Sequence, residues 1–184
     1  MSELTSLGQQ EWQAIEQEYQ VEERIYQLAL KVIACLKDKL APHTLCAFAF
    51  CADGAYGDLD FAYHLYSKED EEKDLKTAYR YPTDWSNSQD EDLDKLIETE
   101  FRQVIGDRVY QLQELNNDAQ FYHDLAVSYL DSLRKVAKRL EDEEVFLPLA
   151  ITENFWLVIT DSDADARGEA RKLNQIRSLT VKSI

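Results

Sequence analysis

Residues 45–65 read LCAFAFCADGAYGDLDFAYHL and predict the centre of a sheet. The first part, Leu45–Ala52, is apolar at every position, which is typical of a strand that is covered on both faces. Residues 60–67 instead alternate, with Phe61, Tyr63 and Leu65 on one side, as in a half-buried strand. The connecting DGAYGD supplies the Asp-Gly and Gly-Asp pairs that tolerate positive φ angles. The stretch therefore predicts a β-hairpin.

Three helices are predicted, one before this hairpin and two after it. Apolar residues recur at helical spacing from Trp12 to Leu40, with a possible break near Gln20–Val21. The same spacing predicts a helix over residues 90–105 and a stronger one from about Ala119 to Glu141. The buried stripe of the last helix is predicted to contain Leu125, Tyr129, Leu133, Val136 and Leu140. Asp118 is the predicted N-cap.

Two short apolar runs near residues 146–161, FLPLAI and FWLVITD, predict further strands on either side of a turn at residues 152–154. The order of elements predicts an α+β fold. We expect a mostly antiparallel sheet of about four strands, formed by residues 45–67 and 146–161. An N-terminal helix and two longer central helices would pack on it. No linker or repeat divides the chain, so a single domain spanning residues 1–184 is expected.

The composition indicates a folded cytoplasmic protein. Hydrophobic residues make up 45% of the 184 positions, and only five glycines and three prolines occur. Three cysteines lie in apolar surroundings, which favours reduced, buried thiols. The N-terminus has no export-signal pattern and no stretch is apolar enough for a membrane span. Neither secretion nor membrane insertion is expected.

Charge is the strongest compositional signal. The chain has 36 acidic and 20 basic residues, for a net charge of −16, and residues 53–100 alone hold fifteen acidic against five basic residues. Such a surface repels phosphate backbones, which disfavours a nucleic-acid partner. It attracts and steers a basic protein. A solvated acidic surface that only aids solubility is the alternative interpretation.

No motif predicts a cofactor, a metal ion or catalytic residues. The chain lacks GxGxxG, GxxxxGK[ST] and GxSxG, and its Cys and His residues have no zinc-ligand spacing. Asp161, Asp163 and Asp165 begin like a calcium loop, but the sixth position is Ala166 and the twelfth is Lys172. Cys51 and His64 could meet across the hairpin, although core packing is the more frequent role of such a pair.

Two neighbouring segments carry the candidate binding residues. The hairpin presents carboxylates and one tyrosine, and residues 78–96 interleave aromatic with acidic side chains, a combination that protein interfaces often use. The hairpin aspartates could alternatively hold a hard cation if the strand ends brought Asp53 and Asp60 together. The predicted binding residues are Asp53, Tyr56, Asp58, Asp60, Tyr81, Asp84, Trp85, Asp90, Glu91 and Asp92.

The blocks LCAFAFCADGAYGDLDFAYHL, YRYPTDW and FWLVITDSD, in this order, resemble the bacterial domain-of-unknown-function family numbered 4303. The resemblance covers nearly the whole chain. It implies a small cytoplasmic protein without enzymatic activity, of the kind encoded beside antibacterial toxins as immunity proteins.

The expected function is therefore that of a cytoplasmic immunity protein that binds a cognate, basic toxin and blocks it. Two other functions stay open at the level of sequence. One is a metal-dependent hydrolase that uses the hairpin aspartates, and the other is an intracellular adaptor or regulatory binding module.

Overall fold

The computed structural model describes residues 5–40, 43–54, 56–66 and 91–161. Helices pack against a mixed sheet, which confirms the predicted α+β class. The prediction of one domain over residues 1–184 stays a prediction. The elements in chain order are α1 (Leu7–Tyr19), α2 (Val21–Leu40), β1 (Leu45–Asp53), β2 (Asp58–Leu65), α3 (Glu91–Ile97), a π-helix (Glu98–Gly106), α4 (Asp107–Leu115), α5 (Ala119–Asp142) and β3 (Ile151–Asp161).

The N-terminal helical region is two helices that meet at Gln20. A capping box starts α1, because Ser6 Oγ accepts from Gln9 N at 3.3 Å and Ser6 N donates to Gln9 Oε1 at 3.0 Å. Gln20 adopts a left-handed conformation with φ 52° and ψ 53°, which ends α1 and redirects the chain into α2. The predicted break near Gln20–Val21 is confirmed.

The three described strands are ordered β2-β1-β3, so β1 is covered by a neighbour on each side. β1 pairs with β2 antiparallel, which confirms the hairpin, and with β3 parallel. The prediction of a mostly antiparallel sheet is therefore wrong for the β1–β3 pair. The end of β2 and the start of β3 both lie beside Leu45, at the start of β1. β3 therefore begins at the same end of the sheet as β1 and runs parallel to it.

The predicted separate strand at FLPLAI is also wrong. Residues 143–149 form turns, with Leu147 N donating to Glu144 O and Leu149 N to Phe146 O, both at 3.0 Å. The apolar character of this segment serves core packing instead, since the Phe146 ring lies 5.4 Å from that of Phe48. The predicted turn at residues 152–154 lies inside β3, where the pairing with β1 shifts register.

The helix predicted over residues 90–105 continues to Leu115 through a π-helical segment. Its buried residues recur at every fourth position from Leu93 through Ile97, Phe101 and Ile105 to Val109, and Leu112 follows three positions later. An α-helix turns by about 400° over four residues, so a strict four-residue repeat would drift by about 40° per step. The wider π-helix has more residues per turn, which keeps these side chains facing the core.

Helix α5 lies across the core face of the sheet, where Phe48, Phe50 and Phe61 are buried. All five predicted stripe residues of α5 are buried, which confirms that prediction. Asp118 accepts a hydrogen bond from Gln120 N at 2.9 Å and is the N-cap, as predicted. Among the described residues, no helix is both long and apolar enough to cross a membrane.

Candidate functional site

The tip of the hairpin is held by local turn chemistry and by a close contact with α4. Asp53 Oδ1 accepts from Tyr56 N at 3.1 Å, a side-chain bond typical of an Asx turn. Gly57 has φ +65°, and a Cβ atom at this position would lie 2.7 Å from Val109 Cβ. Glycine is therefore required both by the backbone angle and by the packing. The tip of the hairpin therefore packs at a fixed position against α4.

Two tyrosines flank this contact and face solvent. Tyr56 precedes Gly57 and is 53% exposed, and Tyr110 follows Val109 and is 52% exposed. Because Gly57 and Val109 touch, the backbone positions of the two tyrosines are close together, although 54 positions separate them in the chain. Half-exposed aromatic side chains that a fixed backbone brings together are typical of protein-binding surfaces.

Arg102 of the π-helix occupies the space between two of the hairpin aspartates. Its Nε donates to Asp58 Oδ1 at 2.6 Å, and its Nη2 donates to Asp60 Oδ1. The same Nη2 lies 3.4 Å from the carbonyl oxygen of Leu59, and Glu98 Oε2 is 3.7 Å from Nη1. One guanidinium thus joins the π-helix to both carboxylates and to the backbone of β2.

The cluster perturbs the protonation of Asp60. Desolvation raises the pKa of Asp60 to about 6, Arg102 opposes this rise, and the nearby Asp58 and Asp94 add to it. Desolvation lowers the pKa of Arg102, but its hydrogen bond to Asp58 and the charge of Asp60 outweigh that effect and raise it. Asp60 therefore titrates closer to neutral pH than an ordinary aspartate.

The positions of the hairpin aspartates and of Arg102 are relevant to the metal-dependent hydrolase that the sequence left open. The strand register sets Asp53 opposite Asp58, whereas Asp60 lies opposite Cys51. The hairpin thus does not place Asp53 and Asp60 as a directly opposed pair, and the cation between Asp58 and Asp60 is the guanidinium of Arg102. Among the described residues, no three or more His, Cys, Asp and Glu side chains are grouped so as to hold a metal ion.

Cys51 and His64 are not brought together by the hairpin. Cys51 pairs with Asp60, while His64 pairs with Ala47 farther along the ladder. Burial raises the pKa of the Cys51 thiol to about 12, and the carboxylate of Asp60 adds to the rise. A thiol that stays protonated is a poor nucleophile, which favours the packing role for Cys51.

The other predicted binding residues lie apart from the tip or outside the described residues. Glu91 and Asp92 are exposed in the first turn of α3, and Asp92 Oδ2 lies 3.4 Å from Lys39 Nζ at the end of α2. The four residues outside the described part of the chain are Tyr81, Asp84, Trp85 and Asp90.

Sequence reasoning missed Arg102 and Tyr110. The pairing of Arg102 with Glu98 at (i, i+4) spacing is visible in the sequence and marks a paired arginine. Nothing in that spacing indicates Asp58 and Asp60, which lie more than forty residues earlier. Tyr110 carries no sequence signal beyond its type, because its neighbour across the contact belongs to the hairpin.

The raised pKa of Asp60 predicts how the stability of the protein depends on pH. Because the folded state holds the proton more tightly than the unfolded chain, the contribution of Asp60 to stability is present below its unfolded pKa of 3.8 and is lost as pH rises through about 6. As the pH rises from about 4 to about 7, we therefore expect the stability of Asp60→Asn to increase relative to that of the parent protein.

Chemical unfolding at a series of pH values measures this difference. Asp107→Asn, which removes one exposed negative charge from the start of α4, is the matched control. Parallel stability curves for Asp60→Asn and the parent protein across this range would contradict the prediction.

Comparison of the chain with protein-family models, with curated proteins and with solved structures gives no match. The resemblance to the family numbered 4303 therefore rests on the quoted sequence blocks alone.

Proposed function

We propose that this protein is a non-enzymatic immunity protein of the bacterial cytoplasm, which binds a basic toxin and blocks it. The observation that carries the proposal is the pair of half-exposed tyrosines, Tyr56 and Tyr110, whose backbone positions the Gly57–Val109 contact brings close together. We call this the tip surface, and define it by Asp53, Tyr56, Asp107 and Tyr110.

The tyrosines supply the contact energy in this proposal. Interface hot spots are enriched in tyrosine, because a rigid ring with a hydroxyl group buries much area at a small entropic cost. Tyr56 is held on a turn with fixed backbone hydrogen bonds, and Tyr110 on a helix. A surface that is ordered before binding loses less entropy when the partner docks.

Charge supplies the choice of partner. The net charge of −16 attracts a basic protein at a distance and raises its association rate. Asp58 and Asp60 already pair with Arg102, so a partner would have to displace an internal ion pair to use them fully. We therefore assign the direct contacts with partner Lys and Arg side chains to the exposed Asp107 before Asp58 and Asp60.

The proposed role of the tip surface predicts how substitutions in it change the affinity for a toxin. Calorimetry against a basic toxin encoded beside the gene should show tight binding. The double variant Tyr56→Ala/Tyr110→Ala should weaken this binding by at least about thirtyfold, since one hot-spot residue contributes about 2 kcal/mol or more. The parent protein should also associate more slowly as salt is added.

Leu147→Ala is the control for this experiment. Leu147 is 64% exposed and lies in the turn before Ala150, whose carbonyl oxygen accepts from Leu45 N at the far end of β1. A nine-residue strand places that end about 30 Å from the tip. Equal losses of affinity for the double tyrosine variant and for Leu147→Ala would contradict the assignment of binding to the tip surface.

If the protein binds no toxin-like protein encoded beside its gene, the proposed immunity function is wrong. An adaptor that binds a partner from the same cell through the tip surface would then be the explanation to test, by capture with the parent protein and with the double tyrosine variant.

A further inference from the structure

The base of the hairpin tip is attached to two helices through one residue, Asp58, which follows Gly57 in the chain. Asp58 Oδ1 accepts from Arg102 Nε at 2.6 Å and from Leu59 N at 2.9 Å. The carbonyl oxygen of Asp58 accepts from the hydroxyl group of Tyr129 at 3.0 Å, and Tyr129 is fully buried on α5. The side chain of Asp58 is thus held by the π-helix and its backbone by α5.

Arg102 lies on the same continuous helix as the contact at the tip. The π-helix runs without a break into α4, so Arg102 precedes Val109, which packs against Gly57, by seven residues. The guanidinium fixes the base of the tip, and the Gly57–Val109 contact fixes the tip itself. The short distance between the backbones of Tyr56 and Tyr110 depends on both attachments.

Several carboxylates act on the guanidinium of Arg102. Asp58 and Asp60 accept its hydrogen bonds, Glu98 Oε2 lies 3.7 Å from its Nη1, and the charge of Asp94 also reaches it. Like charges repel more strongly where they are partly withdrawn from solvent. Without Arg102, the carboxylates of the hairpin and those of the helix would therefore repel one another across the contact that now joins them.

We propose that Arg102 is a positioning residue for the tip surface, which holds the hairpin against the π-helix so that Tyr56 and Tyr110 meet a partner together. This inference rests on the proposed function, because it concerns how the tip surface binds a toxin. Arg102 acts through the hairpin and not by touching the partner, since it precedes Tyr110 by eight residues, about two helical turns. A tip that is held in place before binding loses less entropy when the partner docks.

The first test is the affinity of Arg102→Met, measured by calorimetry against a basic toxin encoded beside the gene. This variant keeps an unbranched apolar side chain and removes the charge, and we expect it to bind about tenfold more weakly than the parent protein. Lys31→Met is the matched control. It removes one positive charge from an ion pair with the same π-helix, Lys31 Nζ to Glu100 Oε2 at 2.6 Å, but that pair joins the π-helix to α2. Its affinity should stay within about twofold of the parent value.

A second substitution separates this electrostatic role from lost packing around Arg102. The double variant Arg102→Met/Asp60→Asn also removes one of the repelling carboxylates, so it should bind within about threefold of the parent protein. Asp60 is not part of the tip surface, so its replacement takes no assigned contact from the partner. A double variant that binds no better than Arg102→Met would contradict the electrostatic role.

Amide hydrogen exchange, followed by nuclear magnetic resonance without any toxin, tests the position of the hairpin directly. The amides of residues 56–59 should exchange about tenfold faster in Arg102→Met than in the parent protein, and at the parent rate in Lys31→Met. Circular dichroism confirms that each variant is folded. If Arg102→Met does not fold, Arg102→Lys keeps the charge without the forked geometry and should show smaller changes in the same direction.

The positioning role and the immunity function fail in different ways. If the parent protein binds no toxin, the immunity function is wrong, and exchange rates that are equal in Arg102→Met and Lys31→Met would contradict the role of Arg102 as well. If the parent protein binds the toxin and Arg102→Met binds it as tightly as Lys31→Met, the role of Arg102 is wrong and the immunity function stands.

Discussion

Replacing Phe48 by alanine is expected to lower the free energy of unfolding by about 3–5 kcal/mol. Phe48 is fully buried at the centre of β1, and its ring lies 5.8 Å from Phe50, 5.6 Å from Phe61 and 5.4 Å from Phe146. These rings come from β1, β2 and the turns before β3. They cannot close over a cavity without disturbing strand pairing on both sides of β1.

Urea unfolding measures this loss as a lower midpoint with an unchanged slope. Tyr110→Ala is the control for removing an aromatic ring from an exposed position, and its effect should stay within about 0.5 kcal/mol. A loss at Phe48 as small as that at Tyr110 would contradict the position of Phe48 in the core. If Phe48→Ala does not fold, Phe48→Leu provides a milder test in the same direction.

Replacing Gly8 by alanine should lower the free energy of unfolding by about 2–3 kcal/mol, although alanine is normally the better helix former. A Cβ atom at Gly8 would lie 2.5 Å from the carbonyl oxygen of Phe121 and 3.0 Å from the backbone nitrogen of Leu125. Both atoms belong to the backbone of α5, so they cannot rotate away. The substitution has to push α1 and α5 apart.

Gly106→Ala is the matched control, because it makes the same chemical change at a helical position with room for a methyl group. Its Cβ would lie 3.5 Å from the carbonyl oxygen of Gly57 and 3.9 Å from Arg102 Cβ, which are ordinary contacts. Gly106 has a helical φ of −57°, so alanine should stabilise the protein by about 0.5–1 kcal/mol. The same sign for the two variants in thermal or urea unfolding would contradict this packing.

The pairing of α1 with α5 also sets a buried hydrogen bond. Gly8 allows the close approach of the two helices, and Trp12, one turn later, donates to Ser132 of α5 at 3.1 Å. This hydrogen bond therefore depends on the spacing that Gly8 sets.

The internal ion pair of Arg102 changes how the acidity of the chain is interpreted. Counting residues gives the hairpin, residues 45–65, three aspartates and no lysine or arginine. The structure neutralises part of that charge from the π-helix, and leaves Tyr56 as the exposed feature of the hairpin. A partner of this protein would therefore recognise the tip surface by shape and aromatic contact as well as by charge.

The sequence by itself determined the features that depend on neighbours within a few positions. These are the hairpin around DGAYGD, the break at Gln20, the N-cap at Asp118 and the buried stripe of α5. Each follows from backbone preferences or from a periodicity that a single element displays. The spacing of residues 90–105 predicted a helix there but not its π-helical segment, because the four-residue repeat is recognised only once the buried residues are known.

Only the tertiary structure decided the features that join distant parts of the chain. The direction of β3, the turns at residues 143–149, the target of Arg102 and the contact of Gly57 with Val109 are all of this kind. Apolar runs and charges specify that a residue will be buried or paired, but not with which partner. With 20 basic and 36 acidic residues, many pairings satisfy the local pattern equally well, and the path of the helices over the sheet selects among them.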